Sequence, residues 1–446
     1  MRLLDRKSVL LILLFCLPLL FLPKINLVKF SEKETAGLRL DDIILLSTAF
    51  ILFWARFMFN RNLSSFEKGL FTLVGFSFIS FFSNRFLVSM DLLHVNAKIF
   101  YCVRILEYAT FFYLGALAFP LISDRKIIYA FFLWNLLIMT AQKLGIIGGF
   151  NSYGYGTQTI YRVTGIASFP SEMGVLLNLI FCYLIFDTHK KPFPIKLPQW
   201  LRAISQTAIY WQFILFAVFI VFTGSRIALA ALVLSFLAKI KDMITFKTAL
   251  IVLACMACLA CSVAYLVLNT EGLRSQSLLS FKNVEIVKQV WDDIDTNVEP
   301  VAGELVTLET FDLSWWMRIH KWIYALKIYF NHPESYLQGI GPGFAFAALD
   351  GGILRILTEN GLIGAFLYWL FFASIYRQSK QLAWMVLVFA INMIFFDVYL
   401  AYKPMILLFF VSGYTYARQT NTEAENANNY VRANIAKSIV IRGQIC

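Results

Sequence analysis

The residue types best suited to chemistry in this chain are arginines and carboxylates, and they fall in four short stretches. RVTGIASFPSEMG carries Arg162 and Glu172, and FTGSRIALAAL carries Arg226. SWWMRIHKW carries Arg318 and His320, and DGGILRILTENGLIG carries Asp350, Arg355 and Glu359. A guanidinium offers planar, bidentate contacts to phosphate oxygens. A carboxylate can take a proton from an attacking hydroxyl. On a helix Arg355 and Glu359, at i and i+4, share a face, whereas Asp350 is no direct neighbour of Arg355. Such a set suits a pyrophosphate-linked donor and a hydroxyl acceptor.

Each stretch also has a plainer reading. Arg162 can anchor an interface, and Pro170 with Glu172 makes an ordinary helix start, a carboxylate suiting the dipole there. Arg226 stands in a two-helix corner too short to carry a charge cheaply. It is therefore expected to be near-buried and to hold an anion or a structural partner. Arg104 and Glu107, three apart, can neutralise each other. Asp41 and Asp42 follow Arg39 at a helix start and could hold a divalent cation or serve only the dipole. Asp292, Asp293 and Asp295 resemble a metal-and-nucleotide-sugar run but read as a solvated acidic loop. Gly339, Gly341 and Gly343 allow a tight backbone able to present N–H groups to an anion. They make no dinucleotide fingerprint, because strand–helix context is missing.

The elements that must position these residues are set by composition. With 446 residues, 59% hydrophobic and 15% charged, and mean hydropathy +0.69, the chain reads as an all-α polytopic membrane protein. Requiring ~15–20 apolar residues per span gives about twelve spans. They lie near 8–28, 41–60, 67–88, 98–119, 127–146, 171–188, 206–223, 226–240, 247–268, 361–377, 382–400 and 404–417. The first is read as uncleaved, since no small-x-small site follows its apolar core. Basic clusters such as Arg56/Arg61/Lys68, Arg125/Lys126 and Lys239/Lys241/Lys247 alternate with the spans, placing both termini in the cytoplasm. The net charge of +12 is thus a matter of cytoplasmic loops and not of nucleic acid. Cys255, Cys258 and Cys261 read as packing residues within a helix, and no disulfide framework is indicated.

This divides the chain into residues 1–268, with nine spans and an outer loop at 147–170; a large outer loop at 269–360; three spans in 361–418; and a disordered cytoplasmic tail, 419–446. In the large loop Trp315, Ile319, Trp322, Leu326 and Tyr329 recur at helical spacing. Asp312 is placed to cap that helix and Asn331-His332-Pro333 to end it. Its aromatic face suits the outer membrane interface.

These pieces resemble the O-antigen polymerase and ligase superfamily of bacterial inner membranes. The motifs are GLRLDDIILL, RVTGIASFPSEMG and FTGSRIALAAL, then Arg318 with Trp322 and Pro333, GIGPG, and ENGLIG opened by Glu359. The resemblance implies a GT-C-like, metal-independent glycosyltransferase without cofactor, working at the periplasmic face on glycans linked to undecaprenyl pyrophosphate. It implies that Arg162, Arg226 and Arg318, with Arg355 as an addition, bind the pyrophosphate. His320 and Glu172 complete the substrate set. Asp350 is the first choice for catalytic base and Glu359 the second. The ligase branch carries histidine nine residues before the closing glutamate, where this chain has Asp350. The polymerase branch is therefore expected, with a ligase joining polymer to lipid A–core, or a lipid-linked oligosaccharide flippase, as alternatives. Expected partners are the bilayer, a chain-length regulator and a flippase, and no nucleic acid.

Overall fold

The computed structural model describes residues 6–23, 26–29, 37–59, 63–151, 154–156, 162–186, 199–241, 282–298, 313–345 and 348–443. Apolar runs become helices where caps or prolines bound them. Ser64 and Glu67 form a reciprocal capping box that starts Ser65–Ser89. Pro170 at the first turn starts Pro170–Ile185, and the Ser379 hydroxyl caps Lys380–Asn392. Two hairpins, Asn26–Lys29 with Gly37–Arg39 and Gly149–Asn151 with Gly154–Gly156, supply the strands among the described residues.

Helices occupy much of the expected stretches, but in 8–28 helix ends at Phe21 and Asn26–Lys29 is a strand, in 382–400 the α-helix ends at Asn392, and 247–268, with Cys255, Cys258 and Cys261, lies outside the described residues. Three described helices are long and apolar enough to cross a membrane: Ser65–Ser89, Phe100–Ala118 and Gly352–Tyr376. The core joins them. Phe100–Ala118 runs along Tyr402–Gly443, where Gly115 meets the Phe410 carbonyl and Gly413 meets the Phe112 carbonyl. Small residues let the two backbones approach so closely. Phe66 stacks on Phe112, ring centroids 4.0 Å apart, and touches Phe371 and Phe409.

Two boundaries differ from those expected. The helix Tyr402–Gly443 continues through residues read as a disordered tail. No glycine or proline interrupts residues 419–442, so a helix nucleated in the core propagates cheaply. The second difference bears on the site. The large loop does not run to residue 360; a helix already begins at Gly352 and is broken at Gly361, whose backbone (φ 64°, ψ −169°) is non-helical.

Four backbone groups flanking that break have partners. A broken helix frees carbonyls before the break and amides after it, and each must find a partner. The Thr358 carbonyl accepts from Ile340 N–H (2.9 Å), and the Glu359 carbonyl from Gly341 N–H (3.0 Å) and the Ser80 hydroxyl (3.0 Å). Beyond the break, Leu362 N–H donates to Tyr336 (2.9 Å) and Ile363 N–H to Leu337 (3.1 Å). Asn84 holds the same loop, donating to Ile340 O (2.8 Å) and Val95 O (2.9 Å). The turn can lie this close because Gly339 (φ 81°) has no side chain; a Cβ there would enter the Glu359 peptide.

Candidate functional site

The half-helix before the break carries two buried charges, Arg355 and Glu359. Arg355 is wholly buried. Its Nε donates to Glu359 Oε1 at 2.7 Å and its Nη1 to Asp397 Oδ2 at 2.9 Å, and its guanidinium lies over the Tyr101 ring, 5.0 Å from the centroid. Glu359 also accepts from the Tyr399 hydroxyl (3.3 Å) and from Gly343 N–H. Removing one member of such a buried set leaves charge uncompensated, at a cost of about 3–5 kcal/mol. Arg355 is therefore committed to internal partners. Glu359, likewise enclosed, is turned away from any second substrate.

Asp350 differs in kind. It lies just before Gly352, in the left-handed region at φ 59°, a conformation that non-glycine residues rarely adopt. Its side chain keeps 28% of its surface exposed and its Oδ2 lies 3.7 Å from Lys321 Nζ. Desolvation holds its carboxyl above the ordinary carboxylate value, opposed by Lys321, Arg318 and Arg355 and reinforced by Asp397.

The helix Leu313–Asn331 supplies the cations, as the aromatic spacing anticipated; Asp312, its expected cap, lies outside the described residues. Lys321 also donates to Ala348 O (2.8 Å), and Trp322 Nε1 donates to Leu349 O (3.1 Å). Arg318 is close enough to act on Asp350, and its Nε is buried without a hydrogen-bond partner among the described residues. His320 does not join them. At about 100° per residue it stands about 200° round the helix from Arg318. Its Nδ1 lies 3.0 Å from Trp316 O, its ring packs on the Trp316 indole, and burial lowers its pKa.

The other expected residues gather at the same end of the bundle. Gln381 reaches the Tyr183 carbonyl (2.6 Å), so Lys380–Asn392 and Pro170–Ile185 run antiparallel. The end of the first and the start of the second therefore lie together. There Glu172 accepts from Ser168 N–H (3.0 Å) and Lys403 N–H (3.0 Å). Both its oxygens serve backbone amides, so Glu172 is a staple of the loop and not a group offered to substrate. Arg162 donates to Thr223 O (3.0 Å) and lies against Gly224, in the corner that leads into Arg226. Arg226 is exposed, not near-buried as so short a corner suggested, because Thr223 and Ser225 take the inward positions.

The glycine turn spends its amides on groups of the chain itself. Gly339 N–H goes to Ser335 O and Gly341 N–H to Glu359 O, and Gly343 N–H goes to the Glu359 carboxylate. Arg104 lies over the Tyr101 ring (5.3 Å). Asp41, Asp42 and Glu107 bring carboxylate oxygens within 4.8 Å of one another, and each is engaged by other groups too. Asp295 turns back on Asn297 N–H (2.9 Å).

Three residues that matter here escaped the reading of the sequence: Asp397, Lys321 and Tyr399. Asp397 sits in an apolar run, and an ionisable residue in such a run is itself a signal. Lys403, wholly buried and donating to the Leu19, Leu20 and Leu22 carbonyls, carries the same signal. Lys321 had none, being one of several cations on an amphipathic helix.

Fold and site together define a predominantly helical protein with helices able to cross a membrane and a charged centre at a helix break. No protein-family model matches this chain, and no curated protein matches it.

Proposed function

We propose that this chain is a membrane-embedded glycosyltransferase of the O-antigen polymerase type. It joins undecaprenyl-pyrophosphate-linked repeat units at the periplasmic face of a bacterial inner membrane, with about twelve spans and both termini cytoplasmic. The observation that carries this reading is the partly exposed Asp350 carboxylate, 3.7 Å from Lys321 and within electrostatic reach of Arg318. The acceptor hydroxyl gives its proton to Asp350 as its oxygen bonds to the anomeric carbon of the donor glycan. The bond from that carbon to the pyrophosphate breaks, and the lipid pyrophosphate leaves with the electron pair. Arg318 and Lys321 offset its charge, with Arg162 and Arg226 as further cations. Arg355 and Glu359 support this centre from within and do not meet the substrate.

One observation favours a second reading. Broken helices around buried charges are how many transporters build midplane sites, which suits a lipid-linked oligosaccharide flippase. Surface polysaccharide from a deletion strain separates the two, and the ligase as well. One repeat unit on the lipid core is expected for a lost polymerase. Bare core with long lipid-linked polymer would indicate a ligase, and bare core with repeats trapped inside a flippase.

A further inference from the structure

The segment 348–351 is gripped from both sides. The helix Leu313–Asn331 holds its carbonyls, through Lys321 to Ala348 and Trp322 to Leu349. The amides of residues 349–351 are held by one side chain. Asp397 Oδ2 accepts from Leu349 N–H at 2.7 Å and from Asp350 N–H at 3.3 Å, and Oδ1 accepts from Gly351 N–H at 3.0 Å. The same Oδ2 takes Arg355 Nη1 at 2.9 Å. Asp397 is buried, lies 46 residues from Gly351 in sequence, and caps no helix of its own with this carboxylate. Three successive amides converging on one carboxylate require the chain to turn inward, and the residue at the middle of that turn is Asp350 at φ 59°. A left-handed backbone is uncommon outside glycine, and aspartate is among the residues that adopt it where its surroundings hold it there.

We infer that Asp397 is a positioning residue: its carboxylate, oriented by Arg355, holds the 349–351 amides so that the Asp350 carboxylate faces Arg318 and Lys321. The inference deepens the glycosyltransferase reading and rests on it only for the consequence in catalysis; the positioning itself is a statement about the chain. Arg355 has a defined part in it. Held by Glu359 and Tyr101, it donates to the same Oδ2 that accepts from Leu349 N–H, while Oδ1 accepts from Gly351 N–H. The groups facing Asp350 are Lys321 and Arg318 from one helix, Arg355 from the half-helix, and Asp397 beyond Lys380–Asn392.

The test uses the full chain in lipid nanodiscs, with its seven cysteines replaced and Asp350→Cys introduced as a reporter. The rate of thiol labelling by a membrane-impermeant maleimide is followed against pH. Leu144→Cys, at an exposed position, is the control. Asp397→Glu keeps the charge that balances Arg355 but displaces the oxygens by a methylene. It is expected to fold and to change labelling at residue 350 at least tenfold, leaving residue 144 unchanged. Asp397→Asn is expected to do the same and, with Asp350 restored, to shorten the polysaccharide ladder in cells at wild-type membrane level. Unchanged labelling in Asp397→Glu overturns the inference even if Asp397→Asn shifts the pH midpoint, because the effect is then one of charge alone. Altered labelling in Asp397→Glu supports the inference. If Asp350→Asn then gives a normal ladder, the positioning stands and the glycosyltransferase reading falls.

Discussion

At the scale of the residue, Asp350 and Glu359 show how environment divides two carboxylates that look alike in sequence. Glu359 meets Arg355, Tyr399 and Gly343 and has no surface left for a second molecule. Asp350 meets one ammonium at 3.7 Å and keeps a face open. Its acid limb follows from the direction of its shift. Burial raises its pKa, so as pH falls the carboxylate becomes protonated at a pH above that of an ordinary one, and the proposed polymerisation is expected to be lost there. Lys321 opposes the shift. Lys321→Met is therefore expected to move the limb to still higher pH, read as the pH dependence of polymerisation by purified protein on lipid-linked repeats. A limb moving to lower pH would show that Lys321 does not stabilise the ionised form. The i, i+4 pairing of Arg355 with Glu359 was legible in the sequence because it is local. The pairing of Arg355 with Asp397, 42 residues on, was not.

At the scale of the element, the broken helix is the device that brings charge to this end of the bundle. The Thr358 and Glu359 carbonyls at the end of its first half accept from the GIGPG turn and Ser80. The sequence ENGLIG gives a glycine at the right place but does not say that the helix resumes after it. A Cβ at Gly361 would lie 2.5 Å from the Gly339 amide and the Leu337 carbonyl, at a φ and ψ open only to glycine. Gly361→Ala is expected to destabilise the protein by about 1–3 kcal/mol and to abolish the ladder, measured by thermal unfolding in detergent beside the gel. An unchanged melting temperature would mean that the break is not fixed as described. The face of Ser65–Ser89 that meets the break carries Ser77, Ser80 and Asn84 at helical spacing, a stripe the reading of the sequence passed over.

At the scale of the whole molecule, the core depends on backbones that approach closely. Phe100–Ala118 and Tyr402–Gly443 are packed through Gly115 and Gly413, with no room for a Cβ at either. Gly413→Leu is expected to lower stability by about 1–3 kcal/mol or more, as overpacking does. Gly75→Ala, where a Cβ meets nothing within 4 Å, is expected to be neutral or to stabilise by helix propensity. Thermal unfolding of both variants by tryptophan fluorescence checks the contrast. Equal effects would place the helix contact elsewhere. This contact also ties the site to the scaffold, since Lys403 at the start of the long helix meets Glu172, and Asp397 lies just before it.

By itself the sequence determined the helical class, the positions of the apolar runs, the aromatic helix after residue 312 and the Arg355–Glu359 face. All of these follow from local composition and a period of 3.6 residues. Only the tertiary structure decided which charges meet. It enclosed Arg355, left Asp350 partly open, turned His320 away and gave Glu172 to backbone amides. It also brought in Asp397, which no spacing rule connects to residues 349–351. Long-range pairing depends on how helices pack, and packing is set by side-chain shape over the whole bundle and not by any one stretch.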